Sequence, residues 1–317
     1  MPPLPKPKKD FRYLVEHELA ALRAHKALRQ IPEPAEGRLL LATWNIANLG
    51  RPGQERRPKD HRLIAEIIGW FDLVAVQEVA NDLDELYAVR DLLPDNRRLL
   101  ISDTAGNDER TAFIYDSRKV EQRELVGRLS IPPSQLRYIT LPGVDQPFQG
   151  FDRSPYLAAF RAGSFTPLLA SVHLFFGSDR DPQDIGRRAL EAFAIARWAQ
   201  KQHEDPDAYT HDVIALGDFN LPQVDPGDPI YKALTSRGLV LPEHSTAVGG
   251  SSLGGSKHYD QLALFPTQTK QPERVEPFDF DNAVFRGLWD PQDPNPFLIY
   301  TRHYLSDHRP LWAEFSV

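Results

Sequence analysis

The stretch VIALGDFNLP, residues 213–222, joins an apolar run to two polar side chains, and it decides how the rest of the chain is interpreted. The apolar run ends at Gly217 and predicts a buried strand. Along an extended chain, Asp218 and Asn220 point to one side and Phe219 to the other. Because burying a carboxylate without a partner is costly, the pair indicates one of two things. It is either an ordinary turn after the strand or a site that needs an acceptor and a donor side by side.

The composition bounds the class of protein. The 317 residues are 41% hydrophobic and 26% charged, which is typical of one large α/β domain or two small ones. A net charge of −7 argues against a protein held to nucleic acid mainly by bulk positive charge. The lack of cysteine excludes disulfides and thiolate metal sites. We see neither a secretory signal nor a run of membrane-spanning length, so we expect a cytoplasmic protein without a membrane partner.

The N-terminal part is expected to be separate from the main domain. Its first few residues are rich in Pro and Lys and are expected to be disordered. The segment IPEPAEG, residues 31–37, is interpreted as a linker. Between these segments, apolar residues at helical spacing predict a helix from 11 to about 28: Phe11, Leu14, Val15, Leu19, Leu22 and Leu28. We therefore predict an appendage over residues 1–37, docked on or projecting from a catalytic domain at 38–317; the helix is a candidate for contacts with a partner.

The main domain alternates between apolar runs and amphipathic segments. Strands are predicted at 38–45, 72–79, 97–102, 111–116, 156–162, 167–174, 211–219, 258–265 and 311–317. Helices are predicted at 59–71, 81–93 (capped by Asn81 or Asp82), 184–202 and 230–238. This alternation indicates a layered α/β domain.

Polar residues that suit catalysis stand at the ends of the predicted strands. They are Asn45, Glu78, His173, Asp218, Asn220, Asp260, Asp307 and His308. Each alone is weak evidence, since turns and helix caps favour the same residue types. Turn chemistry gives no reason for this whole set, which predicts one concave polar site at a shared edge of the sheets.

The set provides what hydrolysis of a phosphodiester needs. Mg²⁺ prefers a few oxygen ligands, and we predict Glu78 as its main ligand with Asp307 and Asn45 close by. Mn²⁺ or Ca²⁺ would suit the same oxygens. Asp218 is expected to orient the nucleophile or to share the metal, and Asn220, with Asn45, to donate to phosphate oxygens.

Proton transfer is assigned to the two histidines. Histidine as a residue type has an intrinsic pKa in the range that acid–base catalysis uses, and His173 and His308 each need a carboxylate to fix the tautomer. Glu109 and Asp260 are the candidate partners.

Six segments in order, TWNIANLG, VAVQEV, SVHLFFG, GDFN, HYDQLAL and LSDHRP, together resemble the endonuclease/exonuclease/phosphatase superfamily over residues 38–317. The resemblance implies a four-layered α/β sandwich, in which two mixed β-sheets pack face to face with helices outside.

Within that superfamily the chain most resembles the deoxyribonuclease I-like branch. ERTAFIYDSRKV resembles the strand that carries the glutamate partner of the acid histidine, which places Glu109. FDRSPYLAAF resembles the Arg-x-Pro segment and places Arg153 against substrate phosphate. PFDF, residues 277–280, resembles a stretch ahead of the final Asp-His. The resemblance implies two acid–base pairs, Glu109–His173 and Asp260–His308, and a DNA substrate.

Two positions depart from the branch. An arginine soon after Gln-Glu and a tyrosine shortly before the glutamate enter the minor groove in that branch. Here the corresponding positions are Ala80 and Asn107 or Asp108. The resemblance therefore supplies the chemistry without those contacts to duplex DNA.

Three hypotheses follow for the function. The first is a Mg²⁺-dependent endonuclease similar to deoxyribonuclease I. The second is a phosphoesterase of the same superfamily that acts on a lipid or phosphoinositide headgroup, and the third is a partner-binding module without catalysis.

Two loops are further candidates for substrate contact. One is GGSSLGGSK (249–257), through Lys257. The other is the cluster Arg56, Arg57 and Lys59, which is either a phosphate contact or a solvated basic loop.

Overall fold

A computed structural model describes residues 4–8, 10–244 and 248–317. Its helices are α1 Val15–Leu28, α2 Pro58–Gly69, α3 Asp84–Arg90, α4 Pro133–Leu136, α5 Pro182–Glu204, α6 Pro229–Thr235 and α7 Asn295–Tyr304. Its strands are β1 Arg38–Leu49, β2 Leu73–Ala80, β3 Arg97–Ile101, β4 Glu109–Asp116, β5 Glu121–Arg128, β6 Tyr156–Arg161, β7 Leu168–His173, β8 Val213–Asp218, β9 Asp260–Leu264, β10 Arg274–Pro277 and β11 Leu311–Ser316.

The strands form two mixed sheets. The six-stranded sheet has the order β10-β11-β1-β2-β4-β3, and the five-stranded sheet has the order β5-β6-β7-β8-β9. In the first sheet β1 and β2 run parallel, with Leu41 opposite Leu73. In the second sheet β7 and β8 run parallel, with Leu168 opposite Val213. Neighbouring strands otherwise pair antiparallel.

Three apolar clusters separate four layers. The cluster between the sheets joins Leu41 of β1 to Ile214 of β8. A second cluster lies outside the six-stranded sheet and includes Ile64 of α2. A third lies outside the five-stranded sheet and includes Phe193 of α5. Residues buried on both faces of a strand explain why the strands are continuous apolar runs. The predicted four-layered α/β sandwich is confirmed.

Helix α1 is docked on the main domain. It begins at Val15 and not at Phe11, and Leu19 and Leu22 are buried in the cluster that contains α2. Leu28, which the helical pattern placed on the apolar face, is 71% exposed. Of the two arrangements left open for the appendage, the structure therefore has the docked one.

An ion-pair network fastens the end of α1 to the loop after β10. Nε2 of His25 lies 2.7 Å from Oδ1 of Asp279, and Arg29 donates to both oxygens of the same carboxylate. The pKa of Asp279 is held below its usual range: burial raises it, but His25, Arg29 and Asn282 outweigh burial. Asp279 therefore carries its charge in the fold.

Several predicted boundaries were wrong. Helix α3 spans only Asp84–Arg90, and its N-cap is Leu83 instead of Asn81 or Asp82. The carboxylate of Asp82 accepts from the N–H of Asp84 in a turn before the helix. The sequence interpretation also missed β5, β10, α4 and α7. Strand β5 is a polar edge strand with no apolar alternation, β10 is four residues long, and α7 begins among prolines.

None of the helices in the described ranges has the length and apolar content needed to cross a lipid bilayer.

Candidate functional site

The site is built where the carboxyl ends of parallel strands meet. In the five-stranded sheet, His173 of β7 pairs with Asp218 of β8, and Asp218 pairs with Asp260 of β9. In the six-stranded sheet, Asn45 of β1 pairs with Gln77 of β2, the residue before Glu78. Strand register alone thus brings the predicted polar residues to one edge of each sheet.

Asn45 connects the two sheets at that edge. Its side-chain amide donates to Oε1 of Glu78 at 2.8 Å and to Oδ2 of Asp218 at 3.0 Å. Its own Oδ1 accepts from the N–H of Ala47 at 3.1 Å. Because these residues are buried, the shared donor offsets the repulsion between two neighbouring carboxylates.

Backbone irregularities aim these side chains. Glu78 has φ of 58° and Asn220 has φ of 48°, both in the left-handed region. The pairing register of β1 with β2 shifts after Asn45, where Asn48 also has φ of 58°. The N–H of Asn48 donates to Oε2 of Glu78 at 2.9 Å. Such bulges and strained residues are common next to catalytic sites, because they redirect a side chain into a cavity.

The first acid–base pair is His173 with Glu109. Nδ1 of His173 lies 3.1 Å from Oε2 of Glu109. Nε2 of the same ring lies 3.6 Å from Oδ2 of Asp218 and 3.8 Å from Oε1 of Glu78. Burial raises the pKa of Glu109, but His173 and Arg153 outweigh burial and hold that pKa below its usual range. Glu109 is therefore a charged carboxylate that orients the imidazole.

The second pair is His308 with Asp260. Nδ1 of His308 lies 2.7 Å from Oδ2 of Asp260, and Nε2 lies 3.7 Å from Oδ2 of Asp218. Burial lowers the pKa of His308, but the carboxylates of Asp260 and Asp218 hold it well above its usual value. Both imidazoles thus present Nε2 to one oxygen of Asp218, each held from behind by its own carboxylate.

The donor set fits a hard divalent cation. Burial, with the charges of Glu109 and Asp307, raises the pKa of Glu78 above its ordinary value. A cation at this point would stabilise the charged carboxylate. One group of atoms that could hold it comes from Glu78, His173 and Asp218, within 4.8 Å of one another. Asp218 shares a second such group with Asp260 and His308.

The other two predicted metal ligands, Asp307 and Asn45, lie near Glu78. Asp307 lines the same cavity as Glu78 but is outside both compact groups found among the described residues. Asn45 turns its amide nitrogen, not its oxygen, toward the carboxylates. Their contact with a metal stays a prediction.

Arg153 and Asn220 support the site from behind. Arg153 donates to the carbonyl oxygens of His173 at 3.2 Å and Leu174 at 2.9 Å, and Nε lies 3.5 Å from Oε2 of Glu109. The amide of Asn220 donates to the same Leu174 carbonyl at 2.9 Å. These contacts fix the end of β7; the predicted contact of either residue with substrate phosphate stays a prediction.

The basic cluster after β1 was predicted to be either a phosphate contact or a solvated basic loop, and the structure shows neither. Arg56 is buried and donates to the carbonyl oxygens of Ala47 at 2.7 Å and Leu305 at 3.0 Å. Arg57 binds Asp60, and the ammonium of Lys59 lies 3.8 Å from the centre of the Tyr13 ring. Local sequence could not show this, because the partners come from α2, α7 and the N-terminal segment.

Lys257 lies at the rim of the site, where its ammonium pairs with Asp179; contact with substrate stays a prediction. The loop that carries it is tied to the site by a β-bridge between Ser252 and His308. Part of the chain before this loop, residues 245–247, lies outside the described residues.

A cavity of about 330 Å³ opens onto the site. Besides Glu78, His173, Asp218, Asn220, Asp307 and His308, it is lined by five residues that the sequence interpretation did not assign to the site: Leu4, Ala47, Asn48, Phe176 and Tyr259. The N–H of Leu4 donates to Oε1 of Gln54 at 2.8 Å, so the expectation of disorder at the start of the chain is wrong for this residue. Residues 1–3 lie outside the described part of the chain. Phe176 and Tyr259 had a signal in the sequence, as aromatic residues close to His173 and Asp260.

Known proteins resemble this chain in sequence or in fold. No protein-family model matches the sequence. A protein named Deoxyribonuclease from Thioalkalivibrio sp. (strain K90mix) is 28% identical over 299 residues, which cover 90% of this chain and 73% of that relative.

Two solved structures illustrate the likeness in fold. An endonuclease/exonuclease/phosphatase family protein from Bacteroides thetaiotaomicron superimposes with a TM-score of 0.58 at 18% identity, covering 88% of this chain and 94% of that one. D. rerio TDP2 complexed with single strand DNA product gives a TM-score of 0.53 at 15% identity, covering 88% and 99%.

Proposed function

Because the chain has the fold of the endonuclease/exonuclease/phosphatase superfamily, we propose that it is a divalent-metal-dependent hydrolase of phosphodiester bonds that cuts DNA internally. One observation carries the proposal. Nε2 of His173 and Nε2 of His308 lie 3.6 and 3.7 Å from the same oxygen of Asp218, and each ring is held by a separate carboxylate. A protein that only bound a partner would gain nothing from two such pairs beside a buried glutamate.

The two histidines divide the proton transfers. In-line displacement at phosphorus needs a proton acceptor for the attacking water and a proton donor for the leaving oxygen, on opposite sides of the phosphate. His308, aligned by Asp260, is the group we assign to the water. His173, aligned by Glu109, is the group we assign to the leaving oxygen. Asp218 lies between them and orients the water.

The carboxylates around Glu78 are the place for the cation, with Mg²⁺ as the first choice and Mn²⁺ or Ca²⁺ as alternatives that take the same oxygen ligands. When bound, the ion supplies positive charge that stabilises the charge developing on the phosphate oxygens. Glu78 is the principal ligand in this proposal, with Asp218 and Asp307 beside it.

DNA as substrate is supported by the relatives, whereas the charge of the chain limits how DNA is bound. The curated relative is named Deoxyribonuclease, and one structural neighbour was solved with a single-strand DNA product. With a net charge of −7, the chain has no bulk attraction for phosphate. Binding therefore depends on contacts at the site and on the cation.

A plasmid-nicking assay tests the proposal. We expect the purified protein to nick supercoiled plasmid with Mg²⁺ and to stop when a chelator is added. Glu78→Gln should lower the rate by about 100-fold or more, because it removes a charge that the cation and the transition state use. The matched control is Glu121→Gln on the edge strand β5, whose carboxylate pairs with Arg123 and Arg161 away from the site and should leave the rate unchanged.

The same preparations should be assayed on vesicles that contain sphingomyelin or a phosphoinositide. Faster hydrolysis of the lipid than of DNA would replace the nuclease with the lipid phosphoesterase. Equal, metal-independent nicking by the native protein and by Glu78→Gln would show a contaminant and would end the proposal.

A further inference from the structure

Phe176 is an exposed aromatic residue on the wall of the catalytic cavity. Its side chain is 56% exposed, and it lines the cavity together with His173, Asp218 and His308. Exposing an aromatic ring to water forgoes the burial that would stabilise the fold. A ring in this place is therefore free to cover an apolar surface of a bound substrate.

The backbone on both sides of Phe176 is fixed. Before it, the carbonyl of Leu174 accepts from Asn220 and Arg153, and the N–H of Phe175 donates to the buried carboxylate of Glu191 at 2.9 Å. After it, a Cβ at Gly177 would lie 2.6 Å from Cγ of Asp184, so the chain turns where only glycine fits. The ring is thus presented from a rigid support, which lowers the entropy lost when it stacks on a partner.

A second aromatic ring lies on the opposite loop. Tyr259 lines the same cavity, and its ring centre lies 5.8 Å from that of His308. The two loops are joined by the pair of Lys257 with Asp179, and Asp179 also binds the buried Arg188 at 2.9 Å. The cavity therefore has one aromatic ring from each of two joined loops.

Lys257 and Arg153, which are basic residues near the cavity, already have partners in this chain. An aromatic ring can bind a nucleotide by stacking on its base, which needs no charged side chain, and every base has a face that can stack. A base lies flat against a protein ring only when it has left the stack of a duplex. Ala80 is a small residue that is 6% exposed. It has no side-chain group that could enter the minor groove of a duplex, so it offers no alternative to stacking.

We propose that Phe176 stacks on the nucleobase next to the scissile phosphate, so that the protein cleaves single-stranded or locally unpaired DNA, including the unpaired stretches of a supercoiled plasmid, faster than relaxed duplex. The inference rests on the proposed nuclease function and adds a residue that sets the substrate class. It makes Phe176 a binding residue whose contribution depends on the presence of a base.

The test compares two substrates that differ only in their bases. One is a thymidine 12-mer, and the other is a 12-mer of tetrahydrofuran abasic units with the same sugar–phosphate backbone. Phe176→Ala should lower kcat/KM on the thymidine 12-mer by about 5- to 150-fold, the range that loss of one stacked base produces. On the abasic 12-mer it should change kcat/KM less than twofold.

Two further variants separate stacking from structure. Phe176→Trp keeps a flat ring and should retain activity on the thymidine 12-mer. Tyr209→Ala removes an aromatic side chain of similar exposure that precedes β8, at the end of the sheet away from the site, and should leave both substrates unaffected. The ratio of native to Phe176→Ala activity should be the same at low and high salt, since stacking involves no counterion release.

The outcomes are distinguishable. If the native protein nicks plasmid but cleaves neither 12-mer in Mg²⁺, the proposed function stands and this inference fails; if it cleaves neither plasmid nor 12-mer, both fail. If the native protein cleaves the thymidine 12-mer but Phe176→Ala matches it, stacking alone is overturned. An equal loss on both 12-mers would assign Phe176 a structural role and would also overturn the inference.

Discussion

Asn45 donates a 3.0 Å hydrogen bond to Oδ2 of Asp218, from the first strand of one sheet to a strand of the other, across 173 residues of sequence. The same amide also binds Glu78. The cavity at the candidate site is therefore shared by both sheets, and its geometry depends on how the sheets pack. A change in the apolar layer between them would reach the site through this residue.

Asn45→Asp is expected to destabilise the fold more than Asn45→Ala. The aspartate would place a third carboxylate against Glu78 and Asp218, whereas alanine only removes a charge-assisted donor at a cost of about 1.5–3 kcal/mol. Urea unfolding measured without metal compares the two variants. If Asn45→Asp were as stable as the native protein, the amide would not be the group that holds these carboxylates together.

Glu109→Gln should lower kcat/KM for DNA by about 100-fold or more, and it should also lower the thermal unfolding midpoint, because it removes a buried charge that pairs with His173 and Arg153. The glutamate fixes the tautomer and orientation of His173, and acid–base catalysis of this kind contributes about 10²–10⁴-fold. Kinetics on plasmid with a melting curve of the same preparation make the measurement. An unchanged kcat/KM would remove His173 from proton transfer.

Arg56→Met is expected to cost about 3–5 kcal/mol of stability. The substitution removes a buried guanidinium, so Glu85 loses its arginine partner and the carbonyls of Ala47 and Leu305 each lose a donor. Denaturant unfolding provides the free energy. The matched control is Arg118→Met, which removes an exposed guanidinium paired with Asp116 and should cost less than about 1 kcal/mol. Equal losses would contradict the structural role given to Arg56.

The attachment of α1 should weaken in acid. The pKa of Asp279 in the fold is below its ordinary value of 3.8, so its interactions with His25 and Arg29 stabilise the fold fully above that value. This stability is lost as the pH falls through 3.8 toward the lower folded pKa. Unfolding free energies from pH 7 to pH 3 should fall less steeply for Asp279→Asn than for the native protein. Parallel slopes for the two proteins would show that another group controls the acid response.

The sequence predicted those parts of the site that local pattern controls. In GDFN, Asp218 faces the catalytic cavity and Phe219 lies in the apolar cluster against α5, as alternation along a strand requires. The paired histidines and carboxylates are brought together by strand register. Strand pairing could not be derived from composition, but the resemblance in motifs implied it.

What could not be predicted depends on partners distant in sequence. By its local sequence pattern, Arg56 is expected at the surface. It is buried because the residues before Asp307, which are distant in sequence, pack against it and supply a carbonyl acceptor. Strand β5 carries charges on both faces because it lies at a sheet edge, where the strand signal is weak. The left-handed backbone of Glu78 is set by the bulge in pairing, which no propensity of glutamate indicates.

The position of Leu4 has a practical consequence for anyone who produces the protein. Its backbone binds Gln54, and its side chain lines the catalytic cavity beside Glu78, so a polyhistidine tag fused ahead of it would hang next to the carboxylates and offer imidazoles to any ion there. The last residue, Val317, hydrogen-bonds to Gly37 just before β1, at the end of that strand away from Asn45. A purification handle belongs at that end, and samples with an uncleaved leading tag should not be used to measure metal affinity.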